Sequence, residues 1–141
     1  MAERPLRTPR SVIVYTDGAA RGNPGPAGAG VCIRDREGVT LLERARYLGE
    51  ATNNVAEYMA LLIGLEEALE LGALEVEVRS DSELVVRQML GKYRVRNERL
   101  RELHERAHGL ARRFQRVAYV HLRRENNLDA DRLANLAIDD A

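Results

Sequence analysis

Three β-type segments in succession, followed by a half in which strands and helices alternate, leave this chain few folds to adopt. Ser11 to Ala20 is rich in β-branched residues and reads as a strand, and RGNPGPAG after it supplies dense Gly/Pro turn chemistry. Ala29 to Arg36 reads as a second strand, Arg36-Glu37-Gly38 as a tight turn, and Val39 to Leu48 as a third strand, giving an antiparallel meander. Beyond it the period changes. Thr52, Asn53 and Asn54 are good helix N-caps, and Glu57 follows Asn54 at the capping-box spacing. Leu61, Leu65 and Leu69, with Met59, Leu62 and Ala68, predict a helix that runs to Leu71 and stops at Gly72. Leu74, Val76 and Val78 alternate with Glu75, Glu77 and Arg79, the pattern of a half-buried strand. Ser82 to Leu90 predicts a short helix closed by Gly91, KYRVRN a basic connector, and Glu98 to Arg113 a polar amphipathic helix. Gln115 to Leu122 predicts a fifth strand and Asn127 to Ile138 a terminal helix. The order βββαβααβα is that of an α/β fold. It calls for a five-stranded mixed sheet flanked by helices, with three antiparallel strands and then two parallel ones added through right-handed crossovers.

The 141 residues suffice for one domain with a real core, and the expected division is a flexible basic tail at 1–10 and a single domain at 11–141. Apolar content of 45% and charged content of 31% fit a globular protein and exclude a disordered one. No apolar run approaches the roughly 20 residues of a membrane helix. MAERPLRTPR lacks the apolar core of a secretory signal, so a cytoplasmic location is expected. The single Cys32, between Val31 and Ile33, reads as a small buried residue. A net charge of zero hides an asymmetry: Glu37 to Glu83 holds 11 acids and 3 bases, whereas Leu84 to Arg124 holds 12 bases and 3 acids. The basic half could supply phosphate contacts to a nucleic acid, or be a solvated helix face. Of the 22 basic residues 21 are Arg, which suits bidentate phosphate recognition, although codon composition or heat adaptation gives the same skew.

Four acids interrupt the apolar pattern: Asp17 in VIVYTDGAA, Glu57 in TNNVAEY, Asp81 in RSDSE and Asp131 in LDADRLAN. Asp17 shares a strand face with Ile13 and Tyr15. Glu57 lies in the first turn of its helix, in register with Leu61, Gly64 and Ala68. Asp81 directly follows a strand, and Asp131 is in register with Leu128, Ala134, Asn135 and Ile138. Taken singly, Glu57 reads as a helix cap, Asp81 as the N-cap of the next helix, and Asp17-Gly18 as a turn. Taken together, several carboxylates near a core are too costly to bury unless cations neutralise them. Oxygen-only donors of this kind suit Mg²⁺.

The segments DGAARGNPGPAGAG, TNNVAEYMALLIGL, SDSELVVRQM and RRENNLDADRLANLA, in this order, resemble ribonuclease H of type 1 from about Ser11 to Ile138. The resemblance implies the ribonuclease H-like fold. It also implies an endoribonuclease that cuts the RNA strand of an RNA/DNA hybrid and leaves 3′-hydroxyl and 5′-phosphate ends. It implies that Asp17, Glu57, Asp81 and Asp131 hold two Mg²⁺ ions, with Mn²⁺ as a substitute. Asp17 would bridge both ions, Glu57 and Asp81 would complete one site, and Asp131 the other. Gly18, Ala20, Gly22 and Asn23 match the RNA-contacting segment. Thr52, Asn53, Asn54 and Ser82 match contacts to the DNA strand. Glu83 stands where many members carry Gln. His121, ten residues before Asp131, has the spacing of a family histidine that assists product release or proton transfer, but it also reads as an ordinary strand histidine. Arg123 or Arg124 could substitute for it electrostatically.

Between Asp81 and Asp131 the chain is shorter than members with a basic protruding helix, so it resembles the compact branch, with Lys92, Arg94, Arg96 and Arg99 as its basic stretch. A monomer acting on a hybrid, with no membrane partner, is expected. The alternatives are a hybrid-binding module without catalysis and a broader nuclease that also cuts double-stranded RNA. Two weaker signals drop out. His104 and His108 have the spacing of a metal pair but no evident third ligand, and Gly28-Ala29-Gly30 is not followed by the helix a dinucleotide loop requires.

Overall fold

A computed structural model describes residues 9–141; residues 1–8, most of the expected tail, lie outside the described residues. The chain forms β1 (Ser11–Ala20), β2 (Gly25–Asp35), β3 (Thr40–Ala51), α1 (Asn53–Glu70), β4 (Glu75–Ser80), α2 (Glu83–Met89), α3 (Glu98–Ala111), β5 (Arg116–His121) and α4 (Leu128–Asp139). A single turn of 3₁₀ helix at Arg124–Asn126, not foreseen from sequence, leads into α4. The sheet order is β3-β2-β1-β4-β5, with β1–β2 and β2–β3 antiparallel and β1–β4 and β4–β5 parallel. This is the expected mixed sheet. Arg10, assigned to the tail by sequence, already belongs to its margin, because its carbonyl accepts from the Leu74 and Glu75 amides at 2.9 Å each.

The two faces of the sheet are covered differently. Val12 and Val14 of β1, Val31 and Ile33 of β2, and Val76 and Val78 of β4 alternate onto one face. There they join Tyr58, Leu61, Leu62 and Leu65 of α1 and Leu100 and Leu103 of α3 in one continuous core. Burial of these side chains, at roughly 25 cal/mol per Å² of apolar surface, is the main force closing that layer. On the other face α4 lies across β2, β1 and β3 and brings only small or medium residues: Ala130, Leu133, Ala134, Ala137 and Ile138. Gly28 and Gly30 let it settle on the strand. A Cβ on Gly30 would lie 2.0 Å from the Ala130 carbonyl oxygen, and one on Gly28 would lie 2.3 Å from that of Ala134.

The strand β2 begins at Gly25, four residues earlier than its apolar alternation suggests. Turn-forming residues here are paired strand residues, since Ala27 faces Ala20 across the hairpin and Gly28 faces Ala19. α1 starts one residue before the expected capping box. Its N-cap is Thr52, whose hydroxyl accepts from the Val55 amide at 3.2 Å, so the Asn54–Glu57 box does not form and Glu57 lies past the first turn. Among the described residues no helix is long and apolar enough to cross a membrane.

Candidate active site

The four acids meet at the carboxyl ends of the central strands. Asp17 sits near the end of β1, buried, on the α4 face of the sheet opposite Gly30. β1 and β4 separate after the Thr16–Ser80 pair, which leaves Asp81 just beyond the last rung. α1 enters at this edge, close enough that a Cβ on Gly18 would lie 2.2 Å from the Ala56 carbonyl carbon. Only glycine permits that approach. The approach lets the Gly18 amide donate to Glu57 Oε1 at 2.6 Å, which turns the carboxylate toward Asp17. One carboxylate oxygen each from Asp17, Glu57 and Asp81 lies within 4.8 Å of the others. Asp131, on the first turn of α4, presses its carboxylate against Asp17 from the other side.

The electrostatics register the crowding. Asp17 is pushed from 3.8 up to about 9, first by burial and then by the charges of Glu57, Asp81 and Asp131. Glu57 is pushed from 4.5 up to about 8 by burial and by Asp81, against the Gly18 amide and the Arg124 guanidinium, which favour its charged form. Carboxylates crowded in this way are stabilised in their charged form by a nearby cation. Oxygen-only donors at these separations fit divalent ions with hard-ligand preference, so the residues present suit the group the sequence implies.

Around the acids an open cleft of about 340 Å³ is lined by Asp17, Gly18, Ala19, Ala20, Arg21, Asn53, Glu57, Arg124, Asp131 and Asn135. A larger cavity of about 540 Å³ lies at the other end of α1, among Ile63, Glu66, Glu70 and Leu110, with none of the four acids. Chemistry, not volume, selects the site. Of the expected substrate-contacting residues, Gly18, Ala20 and Asn53 line this cleft. Asn53 Oδ1 accepts from the Ala20 amide at 3.1 Å, and Asn23 Oδ1 accepts from the Asn53 amide at 3.1 Å, tying the β1–β2 hairpin to the start of α1. Gly22 has a φ of 103°, which the turn requires of a residue without a Cβ. Thr52 and Ser82 cap α1 and α2. Asn54 is exposed beside Asn97 and Arg99.

His121 ends β5, exposed and paired with Ser80, and is not among the cleft-lining residues. Arg124, from the 3₁₀ turn, occupies the cleft instead. The helical pair His104 and His108 faces away from the acids: their Nε2 atoms lie 3.2 Å apart, and His104 Nε2 is 3.1 Å from the Gln88 carbonyl. Sequence reading missed Asn127. This residue is 1% exposed, and its Nδ2 donates to the Thr16 carbonyl at 2.9 Å. A buried Asn just before a helix was the available signal.

The sequence matches the family described as reverse transcriptase-like over residues 15–137. A bifunctional protein of Mycobacterium tuberculosis is 47% identical over 131 residues, 92% of this chain, and this chain spans only 36% of that protein's length. The crystal structure of RNase H1 from Halobacterium salinarum superposes with a TM-score of 0.91 at 42% identity, covering 93% of this chain and 99% of that one. LC11-RNase H1, solved in complex with an RNA/DNA hybrid, gives 0.88 at 49% identity and covers 92% of this chain and 97% of that one. The chain belongs to the reverse transcriptase-like family and is a domain of the ribonuclease H type.

Proposed function

We propose that this chain is a metal-dependent endoribonuclease that hydrolyses the RNA strand of RNA/DNA hybrids and leaves 3′-hydroxyl and 5′-phosphate ends. The observation that carries this reading is the convergence of Asp17, Glu57 and Asp81 within 4.8 Å at the carboxyl edge of the sheet, with Asp131 against Asp17. The likeness to LC11-RNase H1 with its hybrid supports the substrate. Two Mg²⁺ ions, or Mn²⁺ in their place, would when bound activate water and stabilise the leaving oxygen. In this reading Asp17, Glu57, Asp81 and Asp131 would hold the ions.

The rest of the site orients these acids and the substrate. The Gly18 amide holds the Glu57 carboxylate in place. Gly18, Ala20, Gly22 and Asn23 offer a close-packed rim to the RNA strand, where a 2′-hydroxyl can be read in a shallow groove. Thr52, Asn53, Asn54 and Ser82 flank it on the side of the DNA strand. Arg124, already in the cleft, supplies positive charge beside the scissile phosphate, with His121 at the outer edge. Every acid comes from one chain, as a monomeric enzyme would have it.

Labelled RNA/DNA hybrid, duplex RNA and duplex DNA, each tried with Mg²⁺, Mn²⁺ and chelator, test the reading. Cleavage confined to the RNA of the hybrid, lost with chelator, is the expected result. Asp17→Asn should lower the rate by about 10³-fold or more while hybrid binding persists. Intact hybrid with wild-type protein that still binds it would instead show a binding module. Cutting of duplex RNA would show a broader nuclease.

A further inference from the structure

Four α-helices begin with a residue suited to capping, and three of these residues cap. Thr52 accepts from Val55, Ser82 from Val85 and Asn97 from Leu100, each through its side chain. Asn127, at the start of α4, makes no such bond. Its amide turns the other way and donates to the carbonyl of Thr16, and its Oδ1 is buried with no donor among the described residues. The backbone at Asn127, with φ −124° and ψ 34°, departs from the extended one of the three capping residues, so its side chain serves a distant bond instead and leaves one acceptor unsatisfied.

The geometry points to a reason. The Thr16 carbonyl belongs to the peptide unit that joins Thr16 to Asp17. The main-chain carbonyl of Asn127 accepts from the Asp131 amide at 3.1 Å. One residue is thus hydrogen-bonded to the peptide unit that leads into Asp17 and to the amide of Asp131. The packing beneath gives that bond a purpose. α4 rests on Gly28 and Gly30, which set how close it lies, and its own buried side chains are small or medium in size. The other polar ties of α4 to the sheet all run through side chains at least partly exposed to solvent: Arg34 to Asp129, Arg21 to Asn135 and Asp139, and Arg132 to Glu43.

We propose that Asn127 is a positioning residue: its side-chain amide fixes where α4 starts along β1, and so sets the approach of Asp131 to Asp17. This rests on the hydrolase reading for its rate consequence but not for its effect on cation binding. The informative variant is Asn127→Ser. A serine keeps a small polar residue at the start of α4 but is too short to reach Thr16, so it removes the clamp. Three measurements are made: thermal unfolding, Mn²⁺ binding by calorimetry without nucleic acid, and kcat and KM on the hybrid well below the melting temperature.

The expected result is a melting temperature close to wild type, an unchanged KM, and a loss of about 10-fold or more in both Mn²⁺ affinity and kcat. Asn127→Gln, which keeps an amide donor, should recover part of both losses. Wild-type Mn²⁺ affinity in Asn127→Ser would overturn the proposal. So would a lowered melting temperature with kcat unchanged, which would make Asn127 a residue of the fold alone. If the wild-type protein binds Mn²⁺ but cuts no hybrid, the hydrolase reading fails, and the comparison of Mn²⁺ affinities still decides the role of Asn127.

Discussion

α1 and α4 cover opposite faces of one sheet and do so by different physics. Under α1 the contact is made by large side chains; Tyr58, Leu61, Leu62 and Leu65 are each 0% or 1% exposed. Under α4 the side chains are smaller, the helix backbone comes down onto Gly28 and Gly30, and polar ties at Asn127, Asp129, Arg132, Asn135 and Asp139 hold it to the sheet. Interdigitated side chains are a large and tolerant source of stability, because neighbouring residues share the load. A glycine seat is small and exacting. The acids are divided between these layers: Glu57 rides on the well-packed helix, and Asp131 on the glycine-seated one. The site therefore depends on a stable wall and on a wall whose position is set by few atoms.

Leu62→Ala tests the first half of this contrast and should have the largest effect on stability. It removes a fully buried side chain from the middle of the main core and should cost about 2–5 kcal/mol in denaturant unfolding. The rate per folded molecule should hardly change, because Glu57 is fixed by the Gly18 amide at the other end of the helix. Gly30→Ala tests the second half. The new Cβ meets main-chain atoms of α4 at 2.0 and 2.5 Å, so the helix must move, and overpacking of this kind costs about 1–3 kcal/mol. The expected sign of difference is in activity: Gly30→Ala, although less destabilising than Leu62→Ala, should lower kcat far more. Equal activity losses at equal fractions folded would remove the distinction between the two faces.

The same contrast explains what could be read from the sequence. The α1 layer announces itself through periodicity, and the limits of β1 and the stop at Gly72 follow from apolar alternation and turn chemistry. The four acids were legible for a related reason, since each is a charge where the pattern calls for an apolar residue. The glycine-seated layer carries no such signal. Gly25 to Gly28 looks like a continued turn, because the property that lets α4 approach, the absence of a side chain, is also the property that marks loops. Glu57 taken singly fits a capping box with Asn54, a local pattern that hides its actual bond to Gly18, 39 residues away in sequence. Asn127 was missed because its role depends on a carbonyl 111 residues away. His121 could be placed at the end of a strand but not relative to the acids, which depends on how β5 is seated against β4.

The smallest expected effect separates the two faces by their response to pH. In the metal-free protein Asp17 is raised from 3.8 to about 9 and Glu57 from 4.5 to about 8, so the folded state holds protons that the unfolded state has released. Where the native state binds more protons, stability falls as pH rises, and the fall ends once the folded groups have ionised. The contribution is therefore complete below about pH 4 and lost by about pH 9, opposite in direction to a carboxylate paired with a cation. His108 is lowered below 6.5 by burial and by His104 and Arg112, so it titrates in the opposing sense only below neutrality. Cys32, raised above 9.0 chiefly by burial, adds a loss of the same sign toward pH 9, but Asp17→Asn shares it, so comparing the two proteins isolates the acids over the window from pH 7 to 9. Across it the melting temperature of metal-free protein should decline by a few degrees. Asp17→Asn, which removes one of the repelling charges, should flatten the decline and be the more stable protein at pH 9. Leu62→Ala should shift the whole curve downward without changing its slope. Added Mg²⁺ should reverse the wild-type slope, because the ion binds the ionised acids and gains as protons leave. Parallel curves for wild type and Asp17→Asn over this window would mean that the acids are not mutually repelling. The case for a cation-dependent site between the two walls would then lose its electrostatic support.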